Sequence, residues 1–128
     1  MATVVFDASA VIALLRNENG AEAIASHLGN ALISAVNLQE VIKALLWRGA
    51  TLGSARKMID NLHLEIRNHD TDAAYAAASL TEHTSKIGSG LGDRSCMALA
   101  IAVGLPAITT DQEWIKLVIP GLKVKLVR

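Results

Sequence analysis

Aromatic residues are scarce in this sequence: two tryptophans, one tyrosine and one phenylalanine make up 3% of the chain. A protein that gripped single-stranded nucleic acid by base stacking alone would need more such platforms, so that mode of binding is not expected, and Trp47 and Trp114 are read as partly core residues. Cysteine is nearly absent as well. Cys96 has no second thiol to pair with and no metal-type ligand spacing around it, which excludes a disulfide frame and suits a buried thiol in a reducing compartment. Charge of one sign is missing too. Twelve basic and twelve acidic residues cancel, so there is no overall field of the kind that draws nucleic acid or membranes, and any such binding must be local. The longest apolar stretch, CMALAIAVGLPAI, is broken by Gly104 and Pro106 well short of a bilayer span, and the start carries no basic region leading into a long apolar segment. A soluble, cytoplasmic protein with no membrane partner is therefore expected.

Aliphatic residues are what the chain has in abundance. With 52% hydrophobic residues and a mean hydropathy of +0.36 over 128 residues, it should form one domain, residues 1–128, with more apolar material than a monomer of this size hides. A protein interface is expected, with a homodimer as its simplest form. The pattern alternates. TVVF, ALIS, LEIR, PAIT and LKVKLV read as strands. Helices are predicted over ASAVIALLRN, GAEAIASHLG, Val36–Arg48, Leu52–Leu62, TDAAYAAASLTEHT, and from Asp93 or Arg94 to Val103, with a short one around Glu113–Leu117. KIGSGLG is the one plainly flexible stretch, and neither repeats nor low-complexity segments occur. Strands alternating with helices imply an α/β sandwich with a mainly parallel central sheet.

In such sheets, sites form beyond the carboxyl ends of the strands. Asp7 ends the first strand, in VVFDASA, and Asp111 follows a later one, in PAITTDQEW. Asp93, in GLGDRSC, follows the glycine-rich loop and opens a helix. Each of the three has an ordinary explanation as a helix N-cap, worth about 1 kcal/mol and requiring no function. Three together shift the balance towards a site. Glu40 differs in kind: the apolar stripe of its helix is Leu38, Val41, Ile42, Leu45 and Leu46, which puts Glu40 on the other side with Lys43 and Trp47, free to line a cleft or to pair weakly with Lys43.

The motifs FDASA, NLQE, LGDRSCMALA and TTDQEW, in that order and across essentially the whole chain, resemble those of PIN domains, and specifically of VapC-type toxins of bacterial toxin–antitoxin pairs. The resemblance implies an α/β/α sandwich. It maps the acidic residues of the PIN site onto Asp7, Glu40, Asp93 and Asp111, which would be both the catalytic and the metal-holding residues. Ser9 and Thr109 match hydroxyl positions beside the first and last acids, Asn37 a polar residue one turn before the glutamate, and Arg94 a residue whose contact with substrate the match leaves open. It further implies RNA as substrate and a cognate VapB-like antitoxin as partner.

The chemistry of such a cluster points to a cation. Two carboxylates about 4 Å apart repel by roughly 4 kcal/mol at an effective dielectric near 20, so four together call for a divalent ion or for protonation. Oxygen-only ligands suit Mg2+ or Mn2+, and His27, His63, His69 and His83 have no ligand-like spacing that would favour zinc. Arg16, Lys43, Arg48 and Arg94 are candidate phosphate contacts, each equally readable as a solvated charge. Two other classes compete. A haloacid-dehalogenase-type phosphotransferase needs a second acid two residues after Asp7, where this chain has Ser9. A non-catalytic interaction module, with the acids as helix caps, remains open.

Overall fold

A computed structural model describes all 128 residues. Five strands form one sheet: β1 (Val4–Phe6), β2 (Ala31–Ser34), β3 (Glu65–Arg67), β4 (Ala107–Thr109) and β5 (Val124–Leu126), in the order β3-β2-β1-β4-β5. Every pairing is parallel, with Phe6 opposite Ile33 on one side and Ile108 on the other. The three central strands are buried along their whole length. That burial is why they read as unbroken apolar runs: helices cover both faces of a parallel sheet. The charges of strand residues fall on the edges, in β3 and β5.

Side-chain alternation sorts the core into two halves. Val4, Phe6, Ala31, Ile33 and Ile108 pack beneath α1 (Ala8–Leu15), α2 (Ala21–Ala25), α3 (Ala35–Trp47) and α4 (Leu52–Asp60). Val5, Leu32 and Ala107 face the opposite way. There they meet Ala77 of α5 (Thr71–Ala78), Leu80, which precedes α6 (Thr81–Thr84), and Cys96, Met97 and Ala100 of α7 (Leu91–Val103). The result is the α/β/α sandwich that the alternating pattern implied. Complete burial of a side chain such as Phe6 or Ile33 contributes about 2 kcal/mol.

Several local expectations need correction. The helix expected over TDAAYAAASLTEHT is two, because the hydroxyls of Ser79 and Thr81 bond back to the carbonyls of Ala76 and Ala78 and compete with the helical ladder. The last helix begins at Leu91, so Gly90 is its N-cap and Asp93 lies inside the first turn, not at the cap. Part of KIGSGLG is ordered as a 3-10 turn, Ser85–Ile87. The short helix after β4 is also 3-10, Gln112–Lys116. Trp114 is fully buried, as a core residue should be, whereas Trp47 is 90% exposed. Trp47 follows the buried Leu45 by two residues, roughly 200° around the helix, which turns it away from the core. No helix is long and apolar enough to cross a membrane.

Candidate functional site

The chain passes from β1 to β2 on one side, while β4 pairs with β1 on the other. Neighbouring strand ends therefore send their loops in opposite directions at β1 and β4, which opens a crevice at the carboxyl edge of the sheet. Asp7 leaves β1 at that crevice and Asp111 follows β4. The cleft has a volume of about 680 Å3, and Asp7, Ser9, Asn37, Glu40, Asp93 and Asp111 all line it. Residues that span more than 100 positions of the sequence thus meet on one surface.

Asp7 is held most firmly. Its Oδ1 accepts from the Ala10 amide at 2.8 Å, the N-cap bond expected of it. The Ser9 hydroxyl donates to the carboxylate at 2.7 and 2.9 Å, and Thr109 donates to Oδ2 at 2.5 Å. The Thr109 oxygen in turn accepts from the Asp111 amide at 3.0 Å, and the Ser9 oxygen from the Thr110 amide at 3.1 Å. Thr109 is thus a buried strut behind the cleft that ties the two strand ends together. Asp7 is 3% exposed. Burial pushes its carboxyl up to about 6, against the opposing pull of the Thr109, Ala10 and Ser9 hydrogen bonds and with a further upward push from the charge of Asp93.

Asp111 also caps its helix, accepting from the Glu113 amide at 3.0 Å. Asp93 reaches back to the Gly90 amide, as an acid at the third position of a helix does. Its carboxyl is raised by desolvation, and the nearby charges of Asp111 and Glu40 raise it further. Glu40 is oriented by Asn37, whose amide nitrogen donates to Glu40 Oε1 and to the Gly92 carbonyl, both at 2.9 Å. The side-chain oxygen of Asn37 is buried without a partner. A buried polar atom left unpaired at a cleft wall is an expense of about 1–3 kcal/mol that folding alone does not require.

Arg94 lies elsewhere. Its guanidinium donates to the Ser89 carbonyl at 2.8 Å, and it lines a separate depression with Val36, His69 and Leu91. Arg16 is paired with Glu18. Of the basic residues singled out in the sequence, Lys43 and Arg48 are the two on the cleft wall, with Trp47 between them. Cys96 is fully buried, and desolvation pushes its thiol far up, which makes it an inert core residue.

Two features of the site went unread in the sequence. Gly92 is one: a Cβ there would overlap the Glu40 carboxylate, so the absence of a side chain is what lets Glu40 lie against the start of α7. Its position beside Asp93 in LGDRS was the available signal. The other is Ala44, which completes the stripe Asn37, Glu40, Ala44 and Trp47: the sequence places Glu40 and Trp47 on this open side, and the structure makes it one wall of the cleft.

The donor set consists of carboxylate, hydroxyl and amide oxygens, which suits a hard divalent cation in chemical type. The buried charge of Asp7 and the mutual repulsion at Asp93 would both be relieved by one. As oriented, no three carboxylate, histidine or cysteine side chains stand close enough to enclose an ion. The donors therefore fit such an ion in chemical type but, as oriented, do not enclose one.

A parallel sandwich with a carboxylate cleft at the switch point of its sheet defines an α/β protein with an acidic crevice. The family model for the PIN domain matches residues 4–119. The chain belongs to the PIN-domain family. A comparison with curated protein sequences returns no match. Among solved structures, the chain is similar to VapBC-5 from Mycobacterium tuberculosis, a member of the VapBC family of toxin–antitoxin systems. Identity is 26% and the TM-score 0.64, with 99% of this chain and 100% of that chain covered. It is similar in fold to a DNA-bound VapBC from Salmonella typhimurium, at 20% identity and a TM-score of 0.72 with both chains covered completely. It also resembles VapC20 of M. tuberculosis, a sarcin-ricin-loop-cleaving toxin, at 14% identity, a TM-score of 0.72 and coverage of 89% and 94%. The resemblance to VapC-type PIN domains carried by FDASA, NLQE, LGDRSCMALA and TTDQEW is borne out.

Proposed function

We propose that this protein is a metal-dependent endoribonuclease and the toxin of a VapBC-type pair, with residues 1–128 acting as a single PIN domain. The observation that carries the reading is the meeting of Asp7, Glu40, Asp93 and Asp111 on one cleft at the carboxyl edge of the sheet. These four would hold Mg2+ or Mn2+. When bound, such an ion supplies Lewis acidity towards a phosphodiester and activates water for in-line attack. The residues themselves do the positioning. Asp7 keeps its orientation through Ser9, Thr109 and the Ala10 amide, and Asn37 aims Glu40. Thr109 fixes the spacing between the Asp7 and Asp111 strand ends.

A second reading has an observation in its favour: Asp7 and Asp111 do cap their helices, as a non-catalytic module would require. A cap uses one oxygen, however, and the second oxygen of Asp7 is engaged by Thr109 and Ser9. Glu40 caps nothing. Purified wild type should cleave RNA only with Mg2+ or Mn2+ present. Asp7→Asn, Glu40→Gln and Asp111→Asn should each lose at least about 100-fold in rate with circular dichroism unchanged. Mutants that fail to fold, or a wild type that never cleaves, would favour the module.

The reading of partners rests on apolar side chains at the surface. Leu38, Ile42, Leu52 and Ile66 line a small depression between α3, α4 and β3, and Leu91, Ile115 and Val118 are largely exposed. Such surface supports a homodimer and a groove for an apolar segment of a VapB-like antitoxin, which would send a basic side chain to the acidic cleft. Light scattering should give a dimer for the isolated chain, and a cognate VapB-like antitoxin should suppress cleavage. A monomer whose cleavage is untouched by that antitoxin would end the toxin reading and leave the nuclease.

A further inference from the structure

Trp47 is the only aromatic side chain on the wall of the acidic cleft. It is 90% exposed, although burial is the usual fate of so large an apolar ring in a chain with so few of them. It closes the stripe on α3 that begins with Asn37 and Glu40, which sets it seven residues, about 10 Å along the helix axis, from the glutamate. Lys43 stands one turn before it and Arg48 directly after it, both on the same wall. Neither takes part in any of the four ion pairs of the molecule.

Four carboxylates by themselves would repel a polyanion. The two free cations at the far end of the wall counter that repulsion where an incoming strand would first meet the protein. An open indole face between them offers what a base requires, since stacking tolerates any base but needs an uncovered face. In a duplex both faces of each internal base are covered. We propose that Trp47 stacks an unpaired base of the RNA while Lys43 and Arg48 hold the flanking phosphates. The proposal rests on the ribonuclease reading and assigns it a base-binding residue at the far end of the cleft.

The ring is a favourable reporter, because the other tryptophan, Trp114, is fully buried. In an Asp7→Asn background, which binds without cleaving, adding an unstructured oligoribonucleotide should quench tryptophan fluorescence, and a blunt duplex of the same sequence should not. Trp47→Ala should weaken binding of the single strand about tenfold. Trp47→Phe should retain affinity within about threefold, because a phenyl ring still stacks, yet lose the quench, because only Trp114 remains to emit. Being so exposed, position 47 tolerates both changes without loss of fold. Equal single-strand affinity with and without Trp47→Ala in the Asp7→Asn background, together with equal cleavage by Trp47→Ala and the wild type, would overturn the stacking seat and leave the ribonuclease reading standing. A quench with single strand from a protein whose wild type cleaves no RNA would support the seat and sink the ribonuclease. A Trp47→Ala protein that keeps its RNA affinity but loses its antitoxin would assign the ring to the protein partner and overturn the seat.

Discussion

Glu40 rests against Gly92 so closely that no side chain fits between them: an added Cβ at position 92 would coincide with the carboxylate. The contact joins α3 to the start of α7 and sets Glu40 beside Asp93, whose carboxyl feels its charge. Asn37 spans the same gap by donating to both the glutamate and the Gly92 carbonyl.

Gly92→Ala should therefore separate activity from stability. Alanine is the better helix former by about 1 kcal/mol, while the Glu40 side chain must swing away. Cleavage should fall at least about tenfold while the melting temperature holds or rises. A variant with wild-type cleavage would show that Glu40 needs no such placement.

Asp7 gives the stability a pH dependence of predictable sign. Its carboxyl titrates near 3.8 in an unfolded chain and at about 6 when folded. Well below pH 3.8 it is neutral in both states and costs nothing. As pH rises through that window the unfolded chain ionises first, so stability falls, and above 6 the full cost is present. Asp7→Asn removes that titration and should be more stable than wild type at pH 7 by about 3 kcal/mol. Melting curves at pH 4 and pH 7 check this, and a stability advantage of the same size at both would refute the charge explanation.

Thr109 is expected to matter through its hydroxyl. Thr109→Val keeps the shape but leaves Asp7 Oδ2 without its shortest donor and the Asp111 amide without its acceptor, a loss of about 1–3 kcal/mol. Thr109→Ser should recover most of it. Urea unfolding of the three proteins decides the matter: a serine variant as unstable as the valine would point to lost methyl packing instead.

Cation binding should show as linkage. Mg2+ or Mn2+ should raise the melting temperature of the wild type, and the gain should shrink in Asp7→Asn and in Asp93→Asn. Identical shifts in all three would mean that the ion binds away from the cleft.

The fold and the cleft were legible to different depths. Strands such as VVF and ALIS are buried on both faces and so announce themselves by composition. The helix starts were less secure, because Asp93 sits where a cap would and only the backbone reveals that Gly90 holds that place. At the end of α3 two readings pull apart: periodicity puts Trp47 on the side away from the apolar stripe, while its ring is read as partly core, and it stands in the open because no other element covers that last turn.

From residue types and order alone, the sequence determined an α/β chain with acids at strand ends, too little charge imbalance for a global field, and an open face on α3. Only the tertiary structure decided which of those acids meet. Parallel pairing of β1 with β4 brings Asp7 and Asp111 to one edge across a separation of more than 100 residues. It also turned Arg94 to a loop carbonyl while Lys43 and Arg48 stayed on the cleft. The physical reason is that helical period and strand alternation act over a few residues, whereas charge, burial and steric exclusion act through space. Asp7 acquires its raised carboxyl, and Gly92 its necessity, from partners that local sequence does not name.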